Sequence, residues 1–262
     1  MLYEKLRKTK KLVSGKFTID WDKPLIIAGP CSFGSYEELL SIAKELKKRN
    51  IEFMRAGTFK LRTDPYSFQG LGDKGMEILL RIKKELGIHV VTELTSIEEV
   101  EKYGNKIDMI QIGTRNMYNY ALLKAVGKTK TPVILKRGFS ATYKEWFLAA
   151  EYILKEGNPN VILCERGVRS NNSDETRNVL DIQAIPYIKH NTNFRVLVDP
   201  SHASGLAYMI EPMSKAALVA GCDGLLIETH IHPEKSLSDS KQTIDFKTLD
   251  EIIKFRDNLK KD

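Results

Sequence analysis

Apolar runs recur along the chain as LIIAGPC (25–31), EFMRAG (52–57), HVVTE (89–93), DMIQIGTR (108–115), PVILKRG (132–138), VILCERG (161–167), RVLVDPSH (195–202) and GLLIETH (224–230). Most are continuous in Val, Ile and Leu rather than alternating, the pattern of strands buried on both faces of a parallel sheet. Between them the periodicity lengthens to that of helices. Residues 35–50 place apolar positions at helical spacing behind Ser35, a good N-cap. Residues 73–87 run from Asp73 as cap to Gly87 as stop. Further helices are predicted at 96–104, 117–127 and 140–157, in a stretch after Thr176, near 211–221, and at 246–262. Strands that alternate with helices build βαβ units, and eight such units predict a (β/α)8 TIM barrel over residues 23–262. Residues 1–22 stand apart as an N-terminal extension. Within it KLVSGKFTI predicts a small hairpin turned at Ser14-Gly15 that plugs the barrel bottom.

Composition narrows the picture. A chain of 262 residues suits a single barrel domain. The net charge is +7, from 41 basic and 34 acidic residues. Its base-rich stretches are scattered along helix faces such as AKELKKRN, so no contiguous basic stripe marks a nucleic-acid partner. The cysteines, Cys31, Cys164 and Cys222, are too few and odd in number for a disulfide framework. A reducing, cytoplasmic setting is expected. The first residues lack an apolar signal-peptide core, and no apolar run approaches the length of a membrane span. No membrane partner is expected. A homo-oligomer, dimer or tetramer, is.

Chemistry enters at the ends of the runs. In a TIM barrel the C-terminal strand ends form the active face. Here they carry Cys31, Arg55, Glu93, Arg115, Lys136, Arg166, His202 and Glu228. Cys31, His202 and Glu228, together with Asp239 in LSDSK, offer a thiolate, an imidazole and two carboxylates. That set suits a divalent metal ion such as Mn²⁺, Fe²⁺, Co²⁺ or Zn²⁺. His230 and His232 are rival ligands, because THIHP sets them just after Glu228. His89 and His190 fall at the wrong end of the barrel. Arg55, Lys60, Arg62, Arg115, Lys136 and Arg166 form a cationic group larger than one phosphate needs, consistent with two phosphorylated substrates, one also bearing a carboxylate. Lys136 and Arg137 are adjacent and point to opposite sides. Glu93 and Glu165 are charge partners or holders of a water.

The motifs GPCS, RAGTFKLRTDPYSFQGLG, QIGTRN, LKRG, LCERG, DPSH and ETH followed by LSD resemble those of 3-deoxy-D-arabino-heptulosonate 7-phosphate synthase, in its short type I-beta branch. The resemblance runs from about Pro24 to the C-terminus. It implies condensation of phosphoenolpyruvate with D-erythrose 4-phosphate, the first step of the shikimate pathway. It implies metal ligation by Cys31, His202, Glu228 and Asp239. It further implies phosphoenolpyruvate contacts at Arg55, Lys60, Arg115, Lys136 and Arg166, and sugar-phosphate contacts at Arg62 and Thr63. Two positions depart from the family's Lys-Pro-Arg-Thr-Ser loop: Leu61 replaces the proline, and Asp64, replacing the serine, repels a phosphate if it points inward.

The catalytic expectations follow from these roles. Lys60 is a candidate general acid, with a pKa lowered by surrounding cations. Glu93 is a candidate to order the attacking water, and Lys136 to hold the enol phosphate. Two alternatives stay open. The sister family, 3-deoxy-D-manno-octulosonate 8-phosphate synthase, takes arabinose 5-phosphate and has one residue more between the loop lysine and arginine than Lys60-Leu61-Arg62. A Schiff-base aldolase would use Lys136 or Lys60 as nucleophile and need no metal.

Overall fold

The structure is a computed structural model that describes residues 1–6, 9–62, 64–171 and 175–259. All eight apolar runs form strands: β3 (Leu25–Gly29), β4 (Phe53–Arg55), β5 (His89–Glu93), β6 (Met109–Ile112), β7 (Val133–Lys136), β8 (Val161–Glu165), β9 (Arg195–Val198) and β10 (Gly224–Glu228). Each pairs in parallel with its sequence neighbour, and β10 pairs with β3 to close the barrel. Nearly every residue of these strands is buried, as their unbroken apolar character demands.

The surrounding helices are α1 (Tyr36–Lys48), α2 (Gly72–Leu86), α3 (Ile97–Tyr103), α4 (Tyr120–Gly127), α5 (Tyr143–Lys155), α6 (Ala184–Asn191), α7 (Pro200–Ser204), α8 (Ala207–Val219) and α9 (Phe246–Asn258). Side-chain caps start several of them. Ser35 accepts from the Glu38 N–H, Ser96 from the Glu99 N–H, and Thr142 with Glu145 forms a capping box. Two local expectations change. Asp73 does not cap α2, which begins one residue earlier; its carboxylate instead accepts from Lys102 and Tyr103 on α3, so a long-range pair replaces the local one. The helix expected just after Thr176 starts only at Ala184, because residues 177–179 are held extended by backbone bonds to Ser204, Ala203 and Val168. Gly87 does end α2, in the left-handed conformation.

The N-terminal hairpin joins β1 (Lys11–Ser14) to β2 (Phe17–Asp20) in antiparallel register. Ser14 pairs with Phe17, so the turn is Gly15-Lys16, one residue later than expected. That register puts Leu12, Phe17, Ile19 and the following Trp21 on one face. They pack against the inward residues Ile27, Phe53, Val91, Met109, Ile134, Ile162, Leu197 and Leu226 and stop the barrel's N-terminal end. A second, larger apolar layer lies between the strands and the helices. Among the described residues no helix is long and apolar enough to cross a membrane.

The Phe17 ring meets Phe53 edge-to-face, with centroids 4.9 Å apart. Phe17→Ala should leave a cavity between plug and barrel and cost about 3 kcal/mol. Urea unfolding followed by circular dichroism measures this; an unchanged midpoint would show that the hairpin does not support the barrel.

Candidate active site

The strand ends converge on a cavity of about 240 Å³ at the C-terminal face. Four possible metal-ligand atoms, one each from Cys31, His202, Glu228 and Asp239, lie within 4.8 Å of one another. Cys31 Sγ is 3.8 Å from His202 Nε2 and 3.3 Å from Asp239 Oδ2. His202 Nε2 is 3.0 Å from Glu228 Oε1. The set is built from four parts of the chain. Cys31 follows β3, His202 is carried by α7, Glu228 ends β10, and Asp239 sits in the loop beyond. Asp239 is one of two described non-glycine residues with positive φ, +57°, a left-handed backbone that Asp tolerates better than most residues.

The donor chemistry fits a divalent first-row ion. The imidazole is oriented for it: His202 Nδ1 lies 2.7 Å from Asp199 Oδ2, which leaves Nε2 facing the cluster. Asp199 was not singled out from the sequence. It also accepts from the His202 N–H at 2.9 Å and from Lys136 Nζ at 2.5 Å. One carboxylate therefore ties the candidate metal histidine to the candidate substrate lysine. Burial alone would raise its pKa, but His202 and Lys136 outweigh that and hold it well below the usual carboxylate range. Gln242 is a second unforeseen member. Its Nε2 donates to Glu228 Oε2 at 2.8 Å, and its Oε1 accepts from Arg177 at 2.8 Å. Neither residue has a local motif that reveals its role; the DPSH motif places Asp199 only in retrospect.

Burial shapes the rest of the electrostatics. The Cys31 thiol is pushed up to about 11, by burial first and then by Glu228. His202 is lowered to about 4 by burial, so its imidazole is neutral near pH 7 and open to ligation. For Asp239, burial is outweighed by Lys60, which holds the carboxyl far below its ordinary value with help from His202 and Arg177. For Glu228, burial is outweighed by His202 and Arg55.

The cations divide into two groups. Arg55, Lys136 and Arg166 are deeply buried, at 5%, 3% and 2% exposure. Arg55 Nη1 donates to Glu228 Oε1 at 2.9 Å, yet its buried Nε has no partner among the described residues. Arg166 lies over the Phe139 ring, 5.0 Å from its centroid, and burial lowers its pKa to about 10. Arg62 and Arg115 sit farther out, Arg115 also beside Phe139. Thr63 lies outside the described residues. Arg137 points away from the cavity, as its adjacency to Lys136 requires, and pairs with Glu165 and Asp181. Glu165 in turn accepts from the Gly167 N–H at 2.7 Å, so it braces the backbone beside Arg166 rather than facing the cavity.

Lys60 requires a correction. Its partners are a thiol and a carboxylate, not cations: Nζ lies 2.6 Å from Cys31 Sγ and 2.8 Å from Asp239 Oδ2. Burial would lower its pKa, but Cys31, Glu228 and Asp239 raise it above the ordinary lysine value, so it is a firmly protonated ammonium. His230 is also resolved: Nε2 meets Glu38 at 3.0 Å, and it is not part of the ligand cluster. His232 is largely exposed. Asp64 lines the cavity, and its carboxylate accepts from the Tyr66 N–H and the Ser67 hydroxyl within its own turn. Glu93 lines the cavity with Gln111 Nε2 at 3.2 Å, and burial raises its pKa against the pull of Lys136. A side chain at Gly113 would displace the Glu93 carboxylate, since a Cβ would stand 2.1 Å from Glu93 Oε1.

Known proteins resemble this chain along almost its whole length. The sequence profile of the DAHP synthetase I family matches residues 8–262. A Thermotoga maritima protein named phospho-2-dehydro-3-deoxyheptonate aldolase is 44% identical over 243 residues, 93% of this chain and 70% of its own length. A Geobacter sulfurreducens protein named 2-dehydro-3-deoxyphosphooctonate aldolase is 30% identical over 266 residues, 94% of this chain and 96% of its own. The crystal structure of the Thermotoga maritima DAHP synthase superimposes with a TM-score of 0.88 at 43% identity, covering 93% of this chain and 71% of that one. With a closed barrel, a four-residue ligand cluster and a cationic cavity where that family's motifs fall, the chain belongs to the DAHP synthetase I family.

Proposed function

We propose that the protein condenses phosphoenolpyruvate with D-erythrose 4-phosphate and water to give 3-deoxy-D-arabino-heptulosonate 7-phosphate and inorganic phosphate. The observation that carries this reading is the meeting of a mixed thiol, imidazole and carboxylate cluster with buried guanidinium and ammonium groups in one cavity. Cations this deep need anions, and the partnerless Nε of Arg55 supports a bound carboxylate or phosphate there.

The residues take the following roles. Arg55, Arg115, Lys136 and Arg166 hold phosphoenolpyruvate so that its C3 faces the aldehyde carbon. Cys31, His202, Glu228 and Asp239 would hold a divalent ion, which when bound supplies Lewis-acid polarisation of the aldehyde oxygen. As C3 bonds to the aldehyde carbon, positive charge develops at C2. Water adds to C2, and the proton it gives up ends on the oxygen of the former aldehyde, which becomes a hydroxyl; Glu93, whose raised pKa suits proton exchange, is the group we assign to order that water. The resulting hemiketal phosphate loses inorganic phosphate by C–O cleavage, leaving the C2 ketone. Lys60, firmly protonated, donates toward the oxygen of the former aldehyde and stabilises its developing charge.

The alternatives fit less well. A Schiff-base nucleophile needs a free amine, whereas Lys136 is locked on Asp199 and Lys60 on Asp239. The octulosonate reaction is disfavoured by the short Lys60-Leu61-Arg62 spacing and by lower identity to proteins of that name. The free, buried cysteines support a reducing, cytoplasmic setting.

An assay of phosphoenolpyruvate consumption should give a higher kcat/KM with erythrose 4-phosphate than with arabinose 5-phosphate. The reverse preference would move the protein to the sister activity. Arg62→Ala should raise the acceptor KM about tenfold while leaving the phosphoenolpyruvate KM nearly unchanged.

Strong chelation should abolish turnover, and an added divalent ion should restore it. Cys31→Ala should fold yet bind the ion more weakly, because a three-ligand site loses both donor and geometry. Full activity in excess chelator would show that the cluster is not a metal centre.

Asp199→Asn tests the link between the two halves of the site. It should weaken metal binding about ten- to hundredfold, by releasing the His202 ring, and also raise the phosphoenolpyruvate KM, by freeing Lys136. Metal titration and steady-state kinetics measure the two effects. A variant that loses only one of them would show that the bridge does not couple the sites.

A further inference from the structure

One cation of the cavity has no role in the chemistry above. Arg177 follows β8 in the segment that returns toward α6, and it lines the cavity. Its backbone is clamped: the N–H groups of Arg177 and Asn178 donate to the carbonyls of Ser204 and Ala203 at 3.0 and 2.8 Å. Gly205, at φ +75°, makes the room, because a Cβ there would stand 2.8 Å from Arg177 Cβ. From this anchor Nη1 reaches Asp239 Oδ1 at 3.2 Å and Gln242 Oε1 at 2.8 Å. Arg62, carried by the loop after β4, approaches the other oxygen of the same carboxylate, Oδ2, at 3.6 Å. Two partly exposed guanidinium groups from separate loops thus bracket one carboxylate of the ligand cluster.

Depth assigns the cargo. The side chains of Arg62 and Arg177 are 24% and 36% exposed, whereas those of Arg55 and Lys136 are 6% and 4%. The deep group belongs to the enol phosphate, with Arg115 reaching it from farther out. An acceptor whose aldehyde lies at the ligand cluster carries its phosphate at the far end of a four-carbon chain, which brings it to the rim. Two converging guanidinium groups are suited to a phosphate dianion.

We propose that Arg177 is a specificity-determining residue which, with Arg62, clamps the terminal phosphate of the aldehyde acceptor. This rests on the acceptor being the phosphorylated aldehyde of the reaction assigned above. In the absence of substrate, Asp239 occupies the clamp. Binding of the acceptor moves the guanidinium donors from that carboxylate to the phosphate.

The test uses the metal-loaded enzyme and Arg177→Gln. The KM for erythrose 4-phosphate should rise about tenfold or more, the loss expected for one charge-assisted contact, while the KM for phosphoenolpyruvate stays within about twofold. Arg177→Lys, which keeps the charge but loses the planar fork, should fall between wild type and Gln. Erythritol 4-phosphate, which has no aldehyde to react, gives a binding readout: titrated calorimetrically into phosphoenolpyruvate-saturated protein, it should bind the Gln variant about tenfold more weakly than wild type. An unchanged acceptor KM with unchanged erythritol 4-phosphate binding overturns the proposal. So does weaker metal binding with both substrate KM values unaltered, which would make Arg177 a support for Asp239 alone. A wild-type enzyme inactive with erythrose 4-phosphate would instead count against the assigned reaction.

Discussion

Charge must be matched inside this barrel, and the pair of Arg55 and Glu228 shows the constraint most plainly. The two groups end β4 and β10, on either side of β3, and lie 2.9 Å apart with side-chain exposures of 6% and 1%. An ion pair this enclosed contributes little net stability, but removing either partner alone leaves a buried charge that costs about 3–5 kcal/mol. The rest of the mouth obeys the same rule. Asp199 answers both Lys136 and His202, Asp239 answers Lys60, Arg62 and Arg177, and Glu165 answers Arg137. Most charges of the cavity therefore alternate in sign, and Arg166, buried without an ion pair among the described residues, is the exception. A divalent ion or a phosphate entering the cavity replaces one of these partners rather than filling an empty well.

The fold was legible because a parallel barrel leaves a strong trace. Strands buried on both faces need continuous Val, Ile and Leu, and all eight runs became strands. The errors were local. The hairpin turn moved from Ser14-Gly15 to Gly15-Lys16 because packing of Leu12, Phe17 and Ile19 sets the register. Asp73 has the residue type of a helix cap but is drawn away by Lys102 and Tyr103.

The site was legible where function sits at a strand end and obscure where it depends on contacts across the barrel. Cys31, His202 and Glu228 follow from topology, with Asp239 in the loop beyond. Lys60 was misjudged because its sequence neighbour Arg62 is a cation, while its spatial neighbours are Cys31, Ser238 and Asp239. Asp199, Gln242 and Arg177 act through partners 63, 14 and 62 residues away in the chain, and no spacing rule exposes such pairs.

The hairpin at the barrel's other end has a consequence for traffic. With Leu12, Phe17, Ile19 and Trp21 packed under the barrel's inward side chains, the described residues close the chamber at the N-terminal end. Molecules in a blind well are stacked: the one that uses the floor must enter before the one that uses the rim, and it leaves only after the rim clears. On the proposed function, phosphoenolpyruvate at the buried Arg55 and Lys136 is the floor ligand, and the acceptor, farther out, is its lid. Sequence in space thereby becomes sequence in time. On the proposed function, then, a barrel core sealed by the N-terminal hairpin would favour an order of binding at the opposite face, without the hairpin touching either substrate.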